Sequence, residues 1–208
     1  MASFQVLTIV AFIFLANHSI ISACENSTIP TNYGKTNTTS TSTQTFKNYI
    51  KTSCTSTTYP SICYSTLSPY ATKIEADPMK LCSVSLSLAY KAEKSSSSTI
   101  SKLLKNKNMT GIAKQVVQDC FGDVKDSIGE LKDSLDSMAH LNGTDRRFHI
   151  SNIQTWVSAS ITNDQTCSDE FDEMSVDSSL TEKIRNAVLD AARKTSNALY
   201  FINNYVKY

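Results

Sequence analysis

The chain has 208 residues, and its 20 Lys and Arg nearly balance its 19 Asp and Glu, so the formal net charge at pH 7 is only +1. This balance excludes the strong basic field that binding to nucleic acid or to an anionic membrane surface would require. With 5 Gly and 4 Pro, the chain also has too few turn residues for a many-stranded β fold. The composition therefore favours an all-α fold.

The N-terminus has the pattern of a secretory signal peptide. Residues 1–23 contain no Lys, Arg, Asp or Glu, and an apolar run from Val6 to Ala16 precedes the small residues Ser22 and Ala23. The run is shorter than the roughly 20 apolar residues that cross a bilayer. We therefore expect residues 1–23 to be removed and the mature protein to be secreted without a membrane span.

Residues 24–45 are predicted to form a flexible leader. Most of them are Ser, Thr or Asn, and such a segment cannot bury enough apolar surface to offset the entropy lost on ordering. Exported proteins carry N-linked glycans at Asn-x-Ser/Thr motifs. After the signal segment this motif occurs at four candidate glycosylation sites, which are Asn26, Asn37, Asn108 and Asn142.

Residues 46–70 have the pattern of a short helical hairpin. Phe46, Tyr49 and Ile50 recur at helical spacing. Pro60 suits the first turn of a second short helix, because its missing N–H would be unpaired there in any case. We expect these two helices to fold against each other.

Four long amphipathic segments follow within residues 78–206. In the clearest of them, apolar side chains recur every three or four residues from Ile112 to Met138, which indicates one buried helix stripe. The first segment has a similar stripe that Ser95–Ser98 interrupts, and we expect that helix to be loosened or kinked there. Because the connections are short, we predict an up-and-down four-helix bundle that forms one domain with the hairpin, over residues 46–208.

The cysteines are predicted to form disulfides rather than a metal site, because export favours disulfides and no Cys-x-x-Cys motif occurs. A bridge between Cys54 and Cys63 would close the hairpin. A bridge between Cys120 and Cys167 would join neighbouring bundle helices, and Cys82 would remain as a buried free thiol. The number of cysteines alone leaves the pairing open.

The sequence lacks the motifs of an enzyme. It contains no Gly-x-Ser-x-Gly elbow, no glycine-rich phosphate loop and no His-Glu-x-x-His pattern, so we expect no catalytic residues, no metal and no cofactor. The segment Thr155–Cys167 stands out instead, because mediocre helix formers occupy positions that the apolar pattern predicts to be helical. Such a local conflict indicates either a functional surface or close packing beside a disulfide.

Three blocks of the sequence resemble one known family. They read IKTSCTSTTYPSICYSTLS, VVQDCFGDVKDSIGELKDSL and NIQTWVSASITNDQTCSDEF. These blocks and the spacing of their cysteines are similar to the plant pectin methylesterase inhibitor and invertase inhibitor family. The resemblance implies a four-helix bundle with an N-terminal helical hairpin, two bridges that join Cys54 to Cys63 and Cys120 to Cys167, and an unpaired Cys82.

The same resemblance implies a function. Family members that target pectin methylesterase cover the carbohydrate cleft of the enzyme in a one-to-one complex, so we expect a secreted inhibitor of the plant apoplast or cell wall that is a monomer when free. Inhibition of an acid invertase is the alternative. A helical wall or storage protein that inhibits nothing is an alternative of another class. The implied partner-binding residues lie on the two central bundle helices near their bridge, and they are Thr166, Asp169, Asp164, Asp123, Asp126 and Glu130.

Overall fold

The computed structural model describes residues 38–105, 109, 111–173 and 176–205. Within these residues the chain forms short helices followed by four long ones. The short elements are α1 (Thr38–Cys54), α2 (Pro60–Leu67), a 3-10 turn (Ser68–Tyr70) and α3 (Ala71–Ile74). The long helices are α4 (Pro78–Leu104), α5 (Gly111–Met138), α6 (Arg146–Glu173) and α7 (Ser178–Tyr205).

The four long helices form a closed up-and-down bundle. Each helix packs against the next one in the chain, and α7 returns to pack against α4, which closes the ring. The helices α1 and α2 pack against each other as the N-terminal hairpin. The predicted fold class is therefore confirmed. Among the described helices, none combines the length and the apolar character needed to cross a bilayer.

The first helix begins earlier than the sequence pattern predicts. Residues 38–45 fall in the segment expected to be a flexible leader, yet they form the first turns of α1. Polar side chains form hydrogen bonds within the helix along this stretch: Thr45 Oγ1 donates to the backbone carbonyl of Thr41 at 3.0 Å, and Gln44 Nε2 donates to Asn48 Oδ1 at 3.0 Å. Residues 1–37, with the predicted signal peptide, lie outside the described residues.

The serine run does not interrupt α4, which corrects the expected kink. The helix continues through Ser95–Ser98 because Ser96 turns inward and is only 1% exposed. Its Oγ lies 3.2 Å from Ala92 O in the same helix and donates across the bundle to Ala187 O of α7 at 2.8 Å. A small hydroxyl side chain therefore joins two helices at a point where their backbones approach closely.

The buried apolar side chains fall into two clusters along the bundle. We call the first the hairpin cluster; its largest buried members include Ile50, Leu67, Leu86, Leu131 and Ile153. We call the second the distal cluster; its members include Ile100, Val117, Val124, Ile184 and Val188. Each cluster contains one disulfide, Cys54–Cys63 in the hairpin cluster and Cys120–Cys167 in the distal cluster.

A layer of polar side chains lies between the two clusters. It consists of Glu93 on α4, Ser127 on α5, and Ser160 and Asp164 on α6, and all four residues are 0% exposed. On each helix these residues lie between members of the hairpin cluster and members of the distal cluster. We call this set the polar layer.

One side chain of α7 attaches the hairpin to the bundle. Asn197 is 3% exposed, and its Nδ2 donates to Tyr59 O at 3.0 Å while its Oδ1 accepts from Tyr59 N at 3.1 Å. Tyr59 lies directly before α2, and its carbonyl also accepts from Cys63 N at 2.9 Å, so it is the Tyr59 N–H that would otherwise need another partner. The Arg193 guanidinium lies 5.9 Å from the ring centroid of Tyr59.

Candidate functional site

A disulfide joins the two helices that carry the candidate binding residues. Cys120 of α5 and Cys167 of α6 are both 0% exposed, and their Cα atoms are 4.4 Å apart. The hairpin contains the Cys54–Cys63 bridge, with 5.6 Å between Cα atoms, and Cys82 is a buried free thiol. These are the pairs and the free cysteine that the family resemblance implies. The bridge fixes α5 against α6 beside the candidate surface.

The outer face of α6 carries a row of exposed hydroxyl side chains. They donate to the carbonyl oxygen four residues earlier, at 2.9 Å from Thr155, 2.7 Å from Ser158, 3.2 Å from Thr162 and 3.0 Å from Thr166. The hydroxyl protons are thereby used within the helix. A partner would meet threonine methyl groups and oxygen lone pairs, which form a small, uncharged surface.

The inner face of the same helix explains the rest of its unusual composition. Ser160 and Asp164 belong to the polar layer, and Ser127 Oγ of α5 donates to Ser160 O at 3.1 Å. The segment Thr155–Cys167 thus has a buried side and an exposed polar side, and a functional role for the exposed side stays a prediction. Close packing beside the disulfide accounts for the buried side, and an exposed polar surface accounts for the other.

The C-terminal half of α6 presents Thr166 and Asp169 to solvent. Both side chains are exposed, and Gln165 Nε2 donates to Asp169 Oδ1 at 2.6 Å. This hydrogen bond orients the carboxylate one turn beyond Thr166. Gln165 is a member of this surface that the sequence analysis does not single out, although its exposed position next to Thr166 follows from the helical period.

The facing helix α5 contributes carboxylates to the same region. Asp126 is exposed, whereas Asp123 and Glu130 are half-buried. Asn163 Nδ2 of α6 lies 3.4 Å from Glu130 Oε2, so the structure brings this glutamate within one turn of Thr166. Hence α5 and α6 together carry the exposed threonine row and a cluster of carboxylates.

These carboxylates repel one another. Desolvation, with the neighbouring Asp126 and Asp133 charges, raises the pKa of Glu130 to about 6. Desolvation and the charges of Asp126 and Asp119 also raise the pKa of Asp123. The α5 side of the surface therefore has a negative potential, and a cationic or hydrogen-bond-donating partner would relieve the repulsion.

The structure corrects the placement of Asp164. The sequence analysis includes it among the partner-binding residues, but its side chain is 0% exposed and belongs to the polar layer. Its position follows the helical period, four residues after the buried Ser160 and three before Cys167. A partner docking on this surface would therefore not reach it directly.

The other predicted sites are placed as follows. Asn142 is exposed in the turn between α5 and α6, whereas Asn26, Asn37 and Asn108 lie outside the described residues. Within the described part of the chain, no group of three or more His, Cys, Asp and Glu side chains has an arrangement that would hold a metal ion.

Comparison with known proteins identifies the same family along the chain. A family model described as plant invertase/pectin methylesterase inhibitor matches residues 48–201. Pectinesterase inhibitor 4 of Arabidopsis thaliana is 37% identical over 163 residues, which are 77% of this chain and 82% of that protein. The 21 kDa protein of Daucus carota is 37% identical over 160 residues, which are 76% of this chain and 83% of that protein.

A solved structure has the same fold. The crystal structure of a mutant form of a pectin methylesterase inhibitor from Arabidopsis superimposes with a TM-score of 0.59, covering 74% of this chain and 95% of that chain. The sequence identity in that superposition is 19%. The overall fold is therefore shared even where the sequences have diverged.

Proposed function

Since this chain belongs to the plant invertase/pectin methylesterase inhibitor family, we propose that it inhibits pectin methylesterase by forming a one-to-one complex over the substrate cleft of that enzyme. The observation that carries the choice of target is the close similarity to curated relatives named pectinesterase inhibitors. The chain is thus an enzyme inhibitor and not itself an enzyme. An inhibitor acts by binding its target enzyme, so its binding surface must determine which enzyme it recognises.

The binding surface in this proposal is the exposed region of α5 and α6 around Thr166 and Asp169. The buried Cys120–Cys167 bridge holds the two helices in fixed register, so little conformational entropy is lost on association. The threonine row offers a smooth area for close packing. The neighbouring carboxylates suit a cleft that binds an acidic polysaccharide, because such a cleft presents cations and hydrogen-bond donors to its substrate.

The electrostatic part of this proposal makes the association sensitive to salt. Asp126 and Asp169 are exposed, so their long-range attraction to a cationic cleft would be screened at high ionic strength. The threonine contacts would be much less affected. We therefore infer that the carboxylates provide specificity for the cleft and that the threonine row provides close packing against the enzyme.

The target is tested by titrating the purified, oxidised protein against a plant pectin methylesterase and, in parallel, against a plant acid invertase. Activity measures inhibition, and size-exclusion chromatography measures the stoichiometry. We expect inhibition of the methylesterase with a one-to-one complex. Inhibition of invertase alone would contradict the proposed target, and binding to neither enzyme would support a helical wall or storage protein.

The surface is tested by the variants Thr166→Ala and Asp169→Asn. Each should weaken inhibition by at least about tenfold, the loss expected when a well-placed interface contact worth about 1.4 kcal/mol is removed. Thr45→Ala is the matched control for the first, because Thr45 of α1 is also exposed and bonded to the fourth preceding carbonyl but lies outside the threonine row. Asp136→Asn is the control for the second, since Asp136 is an exposed carboxylate near the far end of α5. Equal losses in the controls would contradict this placement of the surface.

A further inference from the structure

Two acidic side chains from different helices meet in the polar layer. Glu93 of α4 and Asp164 of α6 are each 0% exposed in the polar layer, and their two carboxyl groups interact with each other across the bundle. If both were ionised, they would offer each other only acceptor oxygens. Both Oε atoms of Glu93 and Oδ2 of Asp164 are buried and have no donor group facing them.

The two serines of the layer do not supply the missing donors. Ser160 Oγ is buried and has no hydrogen-bond partner, so its proton goes to neither carboxyl group. Ser127 Oγ lies 3.1 Å from Ser160 O and 3.4 Å from Asp164 Oδ1, but one hydroxyl has one proton for these two acceptors. The shorter contact goes to the carbonyl. An ionised pair at this position would thus be both desolvated and deficient in hydrogen bonds, which is among the most unfavourable arrangements in a protein interior.

The charged groups that act on the pair make ionisation still less favourable. Asp123 and Glu130 of α5 act on Asp164, and Asp190 of α7 acts on Glu93. All three are carboxylates. Lys194 of α7 forms an ion pair with Asp190, with 2.5 Å between Nζ and Oδ2. Its charge is therefore directed to Asp190.

One proton on the pair removes both the repulsion between the two carboxylates and the lack of a hydrogen-bond donor. Protonated Glu93 donates to Asp164, so the pair carries one negative charge instead of two and gains the hydrogen bond that it otherwise lacks. Burial, followed by the Asp164 carboxylate, raises the pKa of Glu93, and burial raises the pKa of Asp164 as well. Both raised pKa values agree with the burial of the pair and with its missing hydrogen-bond donors.

We propose that Glu93 and Asp164 share a proton in the folded protein, and that this buried pair makes the bundle most stable in an acidic medium and progressively less stable as the pH rises. The proposal concerns the core of the free protein. It therefore does not depend on the proposed inhibition of pectin methylesterase, and either can fail without the other.

The sign of the pH dependence follows from proton binding. In the unfolded chain both carboxyl groups ionise near pH 4, whereas in the folded chain they retain a proton to higher pH. Above about pH 4 the folded state consequently binds more protons than the unfolded state. For each proton released on unfolding, the equilibrium constant for unfolding rises by about tenfold per pH unit.

The test compares urea unfolding of the oxidised protein between pH 4 and pH 8. Glu93→Gln keeps the shape of the side chain and places a permanent N–H donor beside Asp164. We expect this variant to lose much of the pH dependence and to have an unfolding constant at pH 7.5 that is at least about tenfold lower than that of the wild type. The exposed control Asp136→Asn should follow the wild type at every pH.

A wild-type pH profile that Glu93→Gln leaves unchanged would overturn the proposal. Asp164→Asn tests the other partner and should flatten the profile in the same way. A spectroscopic measurement on the wild type covers the case in which the variants do not fold. The infrared carbonyl band of a protonated carboxylic acid should persist in the folded protein at pH 7 and disappear on unfolding, and its absence from the folded protein would equally overturn the proposal.

Discussion

The two disulfides should contribute unequally to stability, and the inequality can be calculated. We compare the double variant Cys54→Ala/Cys63→Ala with Cys120→Ala/Cys167→Ala. All four sulfur-bearing residues are at most 2% exposed, so the loss of packed volume is similar in the two variants. The difference between the variants therefore reports mainly on the loops that the bridges close.

The loop lengths set the magnitude. The bridged residues are 9 apart in the hairpin and 47 apart between α5 and α6. In the chain-entropy account, closing loops of these lengths stabilises the folded state by about 2.7 and about 4.1 kcal/mol, respectively. Removing the bundle bridge should thus lower the free energy of unfolding by about 1.4 kcal/mol more than removing the hairpin bridge.

Urea unfolding at pH 5, followed by far-ultraviolet circular dichroism, measures both free energies. The buried free thiol of Cys82 is present in both variants, so it does not affect the comparison. The m-value shows whether each variant still unfolds as a single unit. An equal or larger loss for the hairpin variant, with unchanged m-values, would refute the argument from loop length.

Two further predictions concern buried polar groups. Asn197→Ala should cost about 2 kcal/mol, because two hydrogen bonds to the backbone of Tyr59 are lost; hydrogen exchange of the α2 amides should accelerate, whereas the exposed control Asn186→Ala should leave it unchanged. Burial raises the pKa of Cys82 to about 12, so a thiol reagent at pH 8 should label it only as fast as the protein unfolds. Rapid labelling of the native protein would contradict this second prediction.

The bundle itself could be predicted because its signals are local and repeated. In α5 the apolar stripe from Ile112 to Met138 continues past Gly122 and Gly129 without losing its spacing, and the observed helix begins one residue earlier and ends at Met138. The connections fall at breaker residues such as Gly143. Short connections leave little freedom in how consecutive helices can pack, so the topology follows from the pattern.

The failures come from interactions between distant parts of the chain. Nothing near Ser96 in sequence reveals that its hydroxyl will bond to Ala187, so the serine run was expected to disturb α4. Asp164 has the polarity of a surface residue but the periodic position of a core residue. Glu93, on another helix, likewise occupies a buried position of its stripe, between Ala89 and Ser96, and no local pattern indicates that the two carboxyl groups share one layer.

The binding surface was predictable only through family resemblance. Thr155, Thr162 and Thr166 have the same exposure and the same hydrogen bond to the preceding turn. Local physics therefore does not distinguish the threonine beside the bridge from the others. What distinguishes Thr166 in the structure is its position next to Cys167 and one turn before Asp169.

The division of the core has a consequence for engineering this protein. The hairpin cluster and the distal cluster share no members and are separated by the polar layer, so substitutions in one should combine additively with substitutions in the other. Stabilising changes in the hairpin cluster, around Leu86 or Ile153, should raise thermal tolerance while the residues around Cys167 keep their native packing. The half of the bundle that carries the proposed contacts could likewise be diversified for new target enzymes on a scaffold stabilised from its other end.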